Sequence, residues 1–264
     1  MGYYTKNQIY PWLYSFKGYG SVYWYLAVGS EKALLFDTGY GIGDMHEAVR
    51  EVTDKPLSLV LGHGHVDHIN GAFQFDEAWL HEADFNLCKE HSSEAHRLNV
   101  LSGLEKDAEP KAFSRDAYVS AGMCSLKKLE IGQIFDLGGL HMEVVAMEGH
   151  TAGSVGLLAQ EERVLLDSDS ANPHIWMYLP EALSLSSYIA MLERTIKIDF
   201  DTFITGHSDV PLPKSEFNKY IRVAKNANIK EAEPYEVIPG TKGLFYQEDG
   251  VGIVFSERTL KGKK

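Results

Sequence analysis

Six consecutive residues of this 264-residue chain contain four side chains that bind metal ions, and they read His63-Gly64-His65-Val66-Asp67-His68. They follow Gly62 and an apolar run of strand length, residues 57–61. Side chains two apart on an extended backbone point to the same side, so the first two histidines can share one cation. The aspartate and the last histidine come where a helix is predicted to begin and can reach a second point. One loop can thus serve two cations, which lie ~3.5–4 Å apart in two-metal sites. A His-rich surface loop is the alternative, and it is disfavoured by four ligand-type side chains directly after a strand.

Further candidate ligands follow other apolar runs. His150 lies in the segment GHTAGS, Asp167 and Asp169 follow residues 164–166, and His207 follows residues 203–205. A single histidine in such a place is more often structural or exposed. Several strand ends that all carry His or Asp predict one common rim, because α/β folds gather their sites at strand ends.

The remaining pattern predicts alternating strands and helices. Strand-like runs lie at residues 23–28, 33–36, 57–61, 78–80, 140–147, 154–158, 163–166 and 202–205, with a hairpin at 244–255. Helical spacing appears at residues 44–52, 82–96, 184–196 and 213–227, with Ser184 as an N-cap. No internal repeat or linker-like tract interrupts the chain, which predicts one domain over residues 1–264. Residues 97–127 are predicted to form short helices or a lid-like insert.

Charge and cysteine content narrow the classes of partner. The formal net charge is −12, from 25 Lys and Arg against 37 Asp and Glu, and an acidic surface disfavours nucleic acid and anionic lipid. Cys88 and Cys124 form no CxxC motif, which is typical of a reduced intracellular protein. No apolar run approaches the ~20 residues of a membrane span. We predict a cytoplasmic protein with a small-molecule substrate and with neither a nucleic-acid nor a membrane partner.

Taken as a set, these motifs resemble the metallo-β-lactamase-fold superfamily. The HxHxDH signature is complete at residues 63–68, His150 and His207 match the later GH positions, and Asp37-Thr38-Gly39 resembles the early DTG turn. The resemblance extends from about residue 20 to 210. It implies an α/β (α+β) fold, a four-layer αββα sandwich of two mixed β-sheets flanked by helices.

The resemblance also implies a ligand assignment for two metal ions. His63, His65 and His150 bind the first metal; Asp67, His68 and His207 bind the second; Asp169 bridges them. The family usually has Gly-Asp at the bridging position, whereas this chain has Ser168-Asp169. Asp169 fits the spacing after the strand better, and Asp167 stays open as the alternative.

The ligand types indicate the chemistry. Mixed histidine and carboxylate ligands suit two Zn²⁺, and also Fe or Mn. Two cations lower the pKa of a shared water toward ~7, and the resulting hydroxide attacks a carbonyl or phosphoryl centre. By resemblance, Asp67 orients this water and moves its proton. The predicted activity is hydrolysis of a small ester, thioester, lactone, lactam or phosphoester. The alternative is a mononuclear iron enzyme of the same fold that resembles persulfide dioxygenases.

Three residues are predicted to contact substrate. His174 and Trp176 follow the bridging acid in a segment expected to overhang the metals as a loop, and Tyr40 lies beside the DTG turn. A packed aromatic loop without contact to substrate is the alternative interpretation. The chain has no GxSxG elbow and no P-loop, which argues against serine-hydrolase or nucleotide chemistry.

Overall fold

The structure of the protein, a computed structural model, describes residues 3–105, 109–111 and 113–261. The strands are β1 (Thr5–Tyr10), β2 (Leu13–Lys17), β3 (Tyr23–Val28), β4 (Ala33–Phe36), β5 (Leu57–Val60), β6 (Glu77–His81), β7 (Ser125–Leu129), β8 (Ile134–Asp136), β9 (His141–Ala146), β10 (Val155–Ala159), β11 (Val164–Ser168), β12 (His174–Met177), β13 (Thr202–Thr205), β14 (Ser208–Pro213), β15 (Glu233–Tyr235), β16 (Gly243–Glu248) and β17 (Val251–Phe255). The helices are α1 (Met45–Arg50), α2 (Val66–Ile69), α3 (Phe85–His91), α4 (Glu94–Gly103), α5 (Arg115–Ser120), α6 (Leu185–Thr195), α7 (Phe217–Asn226) and α8 (Glu257–Leu260).

The first sheet contains β1 to β7 in sequence order. Its first four strands are antiparallel and joined by short turns, whereas β4 to β7 are parallel. Parallel neighbours need crossover connections, and α1 to α5 supply them. As a result the carboxyl ends of β4 and β5 lie at one edge, where Asp37 and the motif loop begin.

The second sheet has the order β14-β13-β11-β10-β9-β8, with one parallel pair, β11 and β13. This pairing sets Ser168 opposite Thr205, so the segments that follow both strands leave the sheet side by side. The two sheets are also joined by backbone hydrogen bonds, from Val155 N to Gly62 O (2.8 Å) and from Tyr23 N to Gly206 O (2.9 Å). Both bonds involve the loops that carry candidate ligands.

Apolar side chains pack in three layers, one between the two sheets and one on the outer face of each sheet. Leu34, Phe36 and residues of the second sheet such as Leu166 fill the space between the sheets. The alternate residues of β4 point outward and pack with α1 and α3. The outer face of the second sheet packs with α6 and α7. Burial on both faces explains the continuous apolar runs of these strands. The predicted α/β class, with mixed sheets and flanking helices, is confirmed.

A third mixed sheet, with the order β12-β17-β16-β15, was not predicted. Residues 174–177 form β12, parallel to β17, so the prediction of a loop there is wrong. The strand depends on a partner about 80 residues later in the chain, which a local pattern does not reveal. The hairpin of β16 and β17 confirms the predicted turn, where Asp249 (φ 52°) and Gly250 (φ 80°) are both left-handed.

The helix predicted over residues 82–96 is interrupted, and α3 and α4 are separate helices. The segment 97–127 contains most of α4, all of α5 and the start of β7, while residues 106–108 and 112 lie outside the described residues. A lid-like insert here, and one domain over residues 1–264, stay predictions. Across the described ranges no helix has the length and apolar character needed to cross a membrane.

Candidate metal centre

Three histidines converge beyond the ends of β5 and β9. His63 Nε2 lies 3.1 Å from His65 Nδ1, and His150 Nε2 lies 2.8 Å from the same atom. All three side chains are buried. The inward-facing atoms lie within 4.8 Å of one another, as ligands of a single cation would. We call these residues the first triad.

A second group adjoins the triad. Asp67 and His68 lie in α2, Asp169 directly follows β11, and His207 follows β13. His68 Nε2 lies 3.4 Å from Asp67 Oδ2 and 3.3 Å from Asp169 Oδ1. His207 Nε2 lies 3.6 Å from Asp67 Oδ2 and 3.2 Å from Asp169 Oδ2. This second group combines two carboxylates with two imidazoles.

Asp169 stands between the two groups. Its Oδ2 lies 3.8 Å from His150 Nε2 of the first triad and 3.2 Å from His207 Nε2 of the second group. Asp167 is fully buried within β11 and belongs to neither group. Its burial, followed by the charge of Asp169, raises its pKa well above the usual value. The structure thus brings together all the residues predicted as ligands and leaves Asp167 apart.

Two buried atoms of the second group fit a cation. His68 Nε2 and Asp169 Oδ1 have no hydrogen-bond partner among the described residues, although they lie 3.3 Å apart. A buried polar atom without a partner costs about 1–3 kcal/mol. A cation at this point would satisfy both atoms at once. Histidine and carboxylate donors together suit Zn²⁺, Fe or Mn.

Two histidines of the first triad, His63 and His150, are held in their neutral form. Burial, followed by repulsion from neighbouring imidazoles, lowers the pKa of His63 well below its usual value. Burial and the nearby His65 lower the pKa of His150 to about 4. Neutral imidazoles offer free lone pairs near pH 7, which is the state that binds a metal.

The second group is held in its charged form. Burial opposes a charge on His68, but Asp169, Asp67 and Asp37 outweigh it and raise the pKa of His68 well above its usual value. Burial likewise opposes ionisation of Asp67, and the charge of His68 outweighs it and lowers the pKa of Asp67. In the metal-free protein a proton therefore occupies the place of a cation.

This contrast predicts unequal proton release on metal binding. At pH 7 the first equivalent of Zn²⁺ should enter the first triad, where His63 and His150 are neutral, with little release. The second should displace about one to two protons, because the pKa of His68 and of His207 is raised. Its affinity should fall about tenfold for each displaced proton per pH unit of acidification. Calorimetry in two buffers of different ionisation enthalpy measures both steps; equal release in each would contradict the assignment.

Asp37 connects the two ligand groups from behind. Its Oδ1 accepts from Gly62 N (2.6 Å), and its Oδ2 accepts from His68 Nδ1 (2.9 Å) and from Ser168 Oγ (2.8 Å). The Nδ1 of His63 lies 3.2 Å from the same hydroxyl. With Nε2 facing inward, both histidines have a protonated Nδ1, which donates to this network. Such outer partners fix the ring orientation of metal ligands.

Ser168 gives a test of this network. Its φ of 52° is left-handed, which costs a non-glycine residue roughly 1–2 kcal/mol. Ser168→Ala removes the hydrogen bond to Asp37 and keeps the strain, so we expect a loss of about 2 kcal/mol in unfolding free energy. Ser168→Gly loses the same bond but relieves the strain, and should be about 1 kcal/mol more stable than the alanine variant. Urea unfolding of both variants measures the difference; equal stability would show that the left-handed backbone costs nothing here.

Asp84 holds the motif loop against the His150 loop. Its carboxylate accepts from Gly64 N (2.9 Å), Gly153 N (2.8 Å) and Thr151 Oγ1 (2.6 Å), and the side chain is buried. Asp84 was not predicted as part of the site, because it lies in a helix-like run that carries no ligand motif. Its hydrogen-bond partners become neighbours only when the chain folds.

Two predicted substrate residues lie on β12. The carbonyl oxygen of Trp176 accepts from His150 Nδ1 (2.7 Å), and its ring packs at 5.6 Å from Tyr178. His174 is exposed and packs edge-on at 5.5 Å from Phe245. Trp176 therefore adjoins the first triad through its backbone, and contact with substrate stays a prediction for both residues.

Tyr40 lies on the side of the second group. Burial, followed by the charge of Asp67, raises the pKa of its hydroxyl far above the usual value. Its carbonyl oxygen accepts from Tyr118 OH (2.8 Å), which joins it to α5 in the segment after residue 97. Its contact with substrate also stays a prediction.

The sequence profile of the metallo-beta-lactamase superfamily matches residues 18–207, more than half of the chain. Together with the HxHxDH loop and the two adjoining ligand groups, this match shows that the chain belongs to that superfamily. The prediction of a metal-dependent hydrolase of this superfamily is confirmed at that level.

Curated relatives align over part of the chain. Acyl-coenzyme A thioesterase MBLAC2 of Homo sapiens is 27% identical over 188 residues, which cover 66% of this chain and 67% of the relative. Hydroxyacylglutathione hydrolase GloC of Haemophilus influenzae is 24% identical over 148 residues, which cover 53% of this chain and 61% of the relative.

Solved structures support the fold. A superfamily protein of Thermus thermophilus has a TM-score of 0.60 at 20% identity and covers 81% of this chain and 80% of its own. TTHA1623, solved in a di-iron-bound form, has a TM-score of 0.52 at 24% identity and covers 74% of this chain and 90% of its own. Both identities are below 25%, so these two structures support the fold of this chain and nothing about its activity.

Proposed function

We propose that the chain is a two-metal hydrolase that cleaves a small thioester or a related acyl ester. The observation that carries this proposal is the position of Asp169 between two adjoining ligand groups. A mononuclear iron enzyme needs only one of these groups. The second group, with its buried atoms that lack partners, favours two metals over the persulfide dioxygenase alternative.

Each part of the centre has a role in this proposal. Two bound divalent cations supply Lewis-acid activation of water and of the substrate carbonyl. The first triad and the second group would hold these cations, and Asp169, whose Oδ2 faces both His150 and His207, would lie between them. Asp67 Oδ2 faces the imidazoles of the second group, which leaves Oδ1 to orient the attacking water and accept its proton.

The substrate class rests on the relatives and on the surface beside the first triad. One relative is named a thioesterase and another a hydroxyacylglutathione hydrolase. Trp176, whose backbone carbonyl accepts from His150 Nδ1, belongs to an aromatic cluster of the third sheet, with its ring 5.6 Å from Tyr178 and Tyr178 5.7 Å from Tyr235. Such a surface favours an apolar acyl group. The small-molecule substrate, the absence of a nucleic-acid partner and the cytoplasmic location remain predictions.

The first experiment is elemental analysis of protein purified without chelator, followed by hydrolysis assays. About two zinc ions per chain, with thiol release from hexanoyl-coenzyme A, would support the proposal. The same metal content with p-nitrophenyl ester hydrolysis alone would move the substrate class to oxygen esters. About one iron per chain, with oxygen consumption on a glutathione persulfide, would overturn it in favour of the alternative. Two irons would leave the two-metal centre standing, with iron in place of zinc.

A further inference from the structure

The outer nitrogens of the first triad have unequal partners. Those of His63 and His150 contact neutral groups, a hydroxyl and a backbone carbonyl. The outer nitrogen of His65, Nε2, lies 2.5 Å from a carboxylate oxygen, Oε1 of Glu181. The Glu181 side chain is 21% exposed, whereas that of His65 is 7% exposed. Among the described residues, the outer nitrogen of His65 is thus the one that bonds to an anion.

His65 also differs in the atom that faces inward. It presents Nδ1, whereas His63 and His150 both present Nε2. For Nδ1 to bind a metal its lone pair must be free, so the proton must sit on Nε2. An ionised carboxylate only accepts hydrogen bonds, and Glu181 therefore selects this tautomer. The His65 ring also stacks on His91, at 5.1 Å and 23°, which fixes its plane.

The loop that carries this glutamate is held on two sides. Arg258 of α8 donates to the carbonyl oxygens of Leu179 (2.6 Å) and Ala182 (2.8 Å). The amide of Leu183 donates to the carbonyl of Gly149, next to the third triad histidine (2.8 Å). The carboxylate is therefore presented by a braced loop that is tied to the metal site itself.

We propose that Glu181 is a positioning residue, which sets the tautomer and orientation of His65 for the first metal and supplies the negative charge that the triad lacks. The inference rests on the proposed metal centre and adds a residue outside the predicted ligand set. Carboxylate–histidine–metal arrangements raise the basicity of the ligand, and their loss typically costs about 10- to 100-fold in metal affinity.

The test compares Glu181→Ala and Glu181→Gln with the wild-type protein. The amide oxygen of glutamine still accepts from Nε2 but carries no charge, so the pair separates tautomer selection from charge. The matched control is Glu161→Gln, since Glu161 makes an equally short contact (2.5 Å) with His141 at the exposed end of β9. Competition with a chromophoric chelator measures Zn²⁺ affinity at each site, and the Co²⁺ spectrum reports the ligand geometry.

We expect Glu181→Ala to weaken one of two Zn²⁺ sites by about 10- to 100-fold and to change the Co²⁺ spectrum, with an unchanged second site. Glu181→Gln should lose less, and Glu161→Gln should match the wild type. If the wild type binds two metals and Glu181→Ala binds them equally well, the role of Glu181 is refuted and the metal centre stands. If the wild type binds fewer than two, the proposed centre itself fails. A variant that loses both metals together with its thermal transition would show that Glu181 supports the fold rather than one ligand.

Discussion

Asp169→Asn should lower the metal content below two per chain and reduce hydrolysis by more than about 100-fold. Loss of an outer-shell partner alone typically costs up to about this much. Asp169 loses more, because its carboxylate faces both His150 (3.8 Å) and His207 (3.2 Å). A neutral amide in its place removes the anion that two adjacent cations would share in the proposed centre. Elemental analysis and thioester hydrolysis on the same preparation measure both effects.

Asp167→Asn is the matched control, because it is the other acid of the same strand end. Burial raises the pKa of Asp167 well above its usual value and so favours the neutral acid, which asparagine resembles in size and charge. Its replacement should cost at most about 1–3 kcal/mol in stability and leave two metals per chain. If Asp167→Asn loses the metals and Asp169→Asn keeps them, the bridging assignment is reversed.

Most of the candidate ligands were predictable because they lie within a few residues of the end of a strand. A buried strand is visible as an apolar run, and the residues after it stay near the edge of the sheet whatever the rest of the chain does. His63, His65, His150, Asp169 and His207 all lie within a few residues of such a run. The resemblance to the superfamily then assigned them to two metals.

The outer partners were not predictable in the same way. Glu181 contacts His65 across 116 residues, and Asp84 contacts Thr151 across 67. Neither residue lies in a motif, and each becomes a partner only when the loops are brought together. Asp37 was noted through its DTG turn, but its hydrogen bonds to two ligand-bearing segments depend on the order of β4 and β5 in the sheet.

The third sheet could not be predicted in full either, because part of it depends on residues far apart in the chain. The hairpin of β16 and β17 is a local unit, and its turn residues predict it. Strand β12 pairs with β17 in parallel, so nothing near residue 174 signals a strand. The aromatic residues of β12 therefore looked like a loop, although they form the edge of a sheet next to the first triad.

Asp67→Asn should reduce kcat by about 10²- to 10⁴-fold, the usual contribution of a positioned proton acceptor. The effect on KM should be small, because the amide keeps the size of the side chain and leaves the aromatic surface intact. The metal content of the same samples must be measured, since Asp67 also faces the second group. The rate per fully loaded site then isolates proton transfer from metal loss.

The pH dependence of kcat tests the role of Asp67 as proton acceptor further. In the metal-free protein the charge of His68 keeps the pKa of Asp67 below its usual value, even though burial opposes this. In the loaded enzyme the cation that displaces the His68 proton would supply the same positive charge, so the carboxylate should stay ionised above about pH 5. Its stabilised anion is present across pH 5–9, and its loss should lower kcat by the same factor throughout this range. Asp76→Asn, at an exposed position nine residues further along, should match the wild type. A fully loaded Asp67→Asn enzyme with kcat within tenfold of the wild type would mean that another group accepts the proton. A deficit that varied with pH would mean that Asp67 titrates within the working range, which the positive charge of the second group, from a proton or from a bound cation, should prevent.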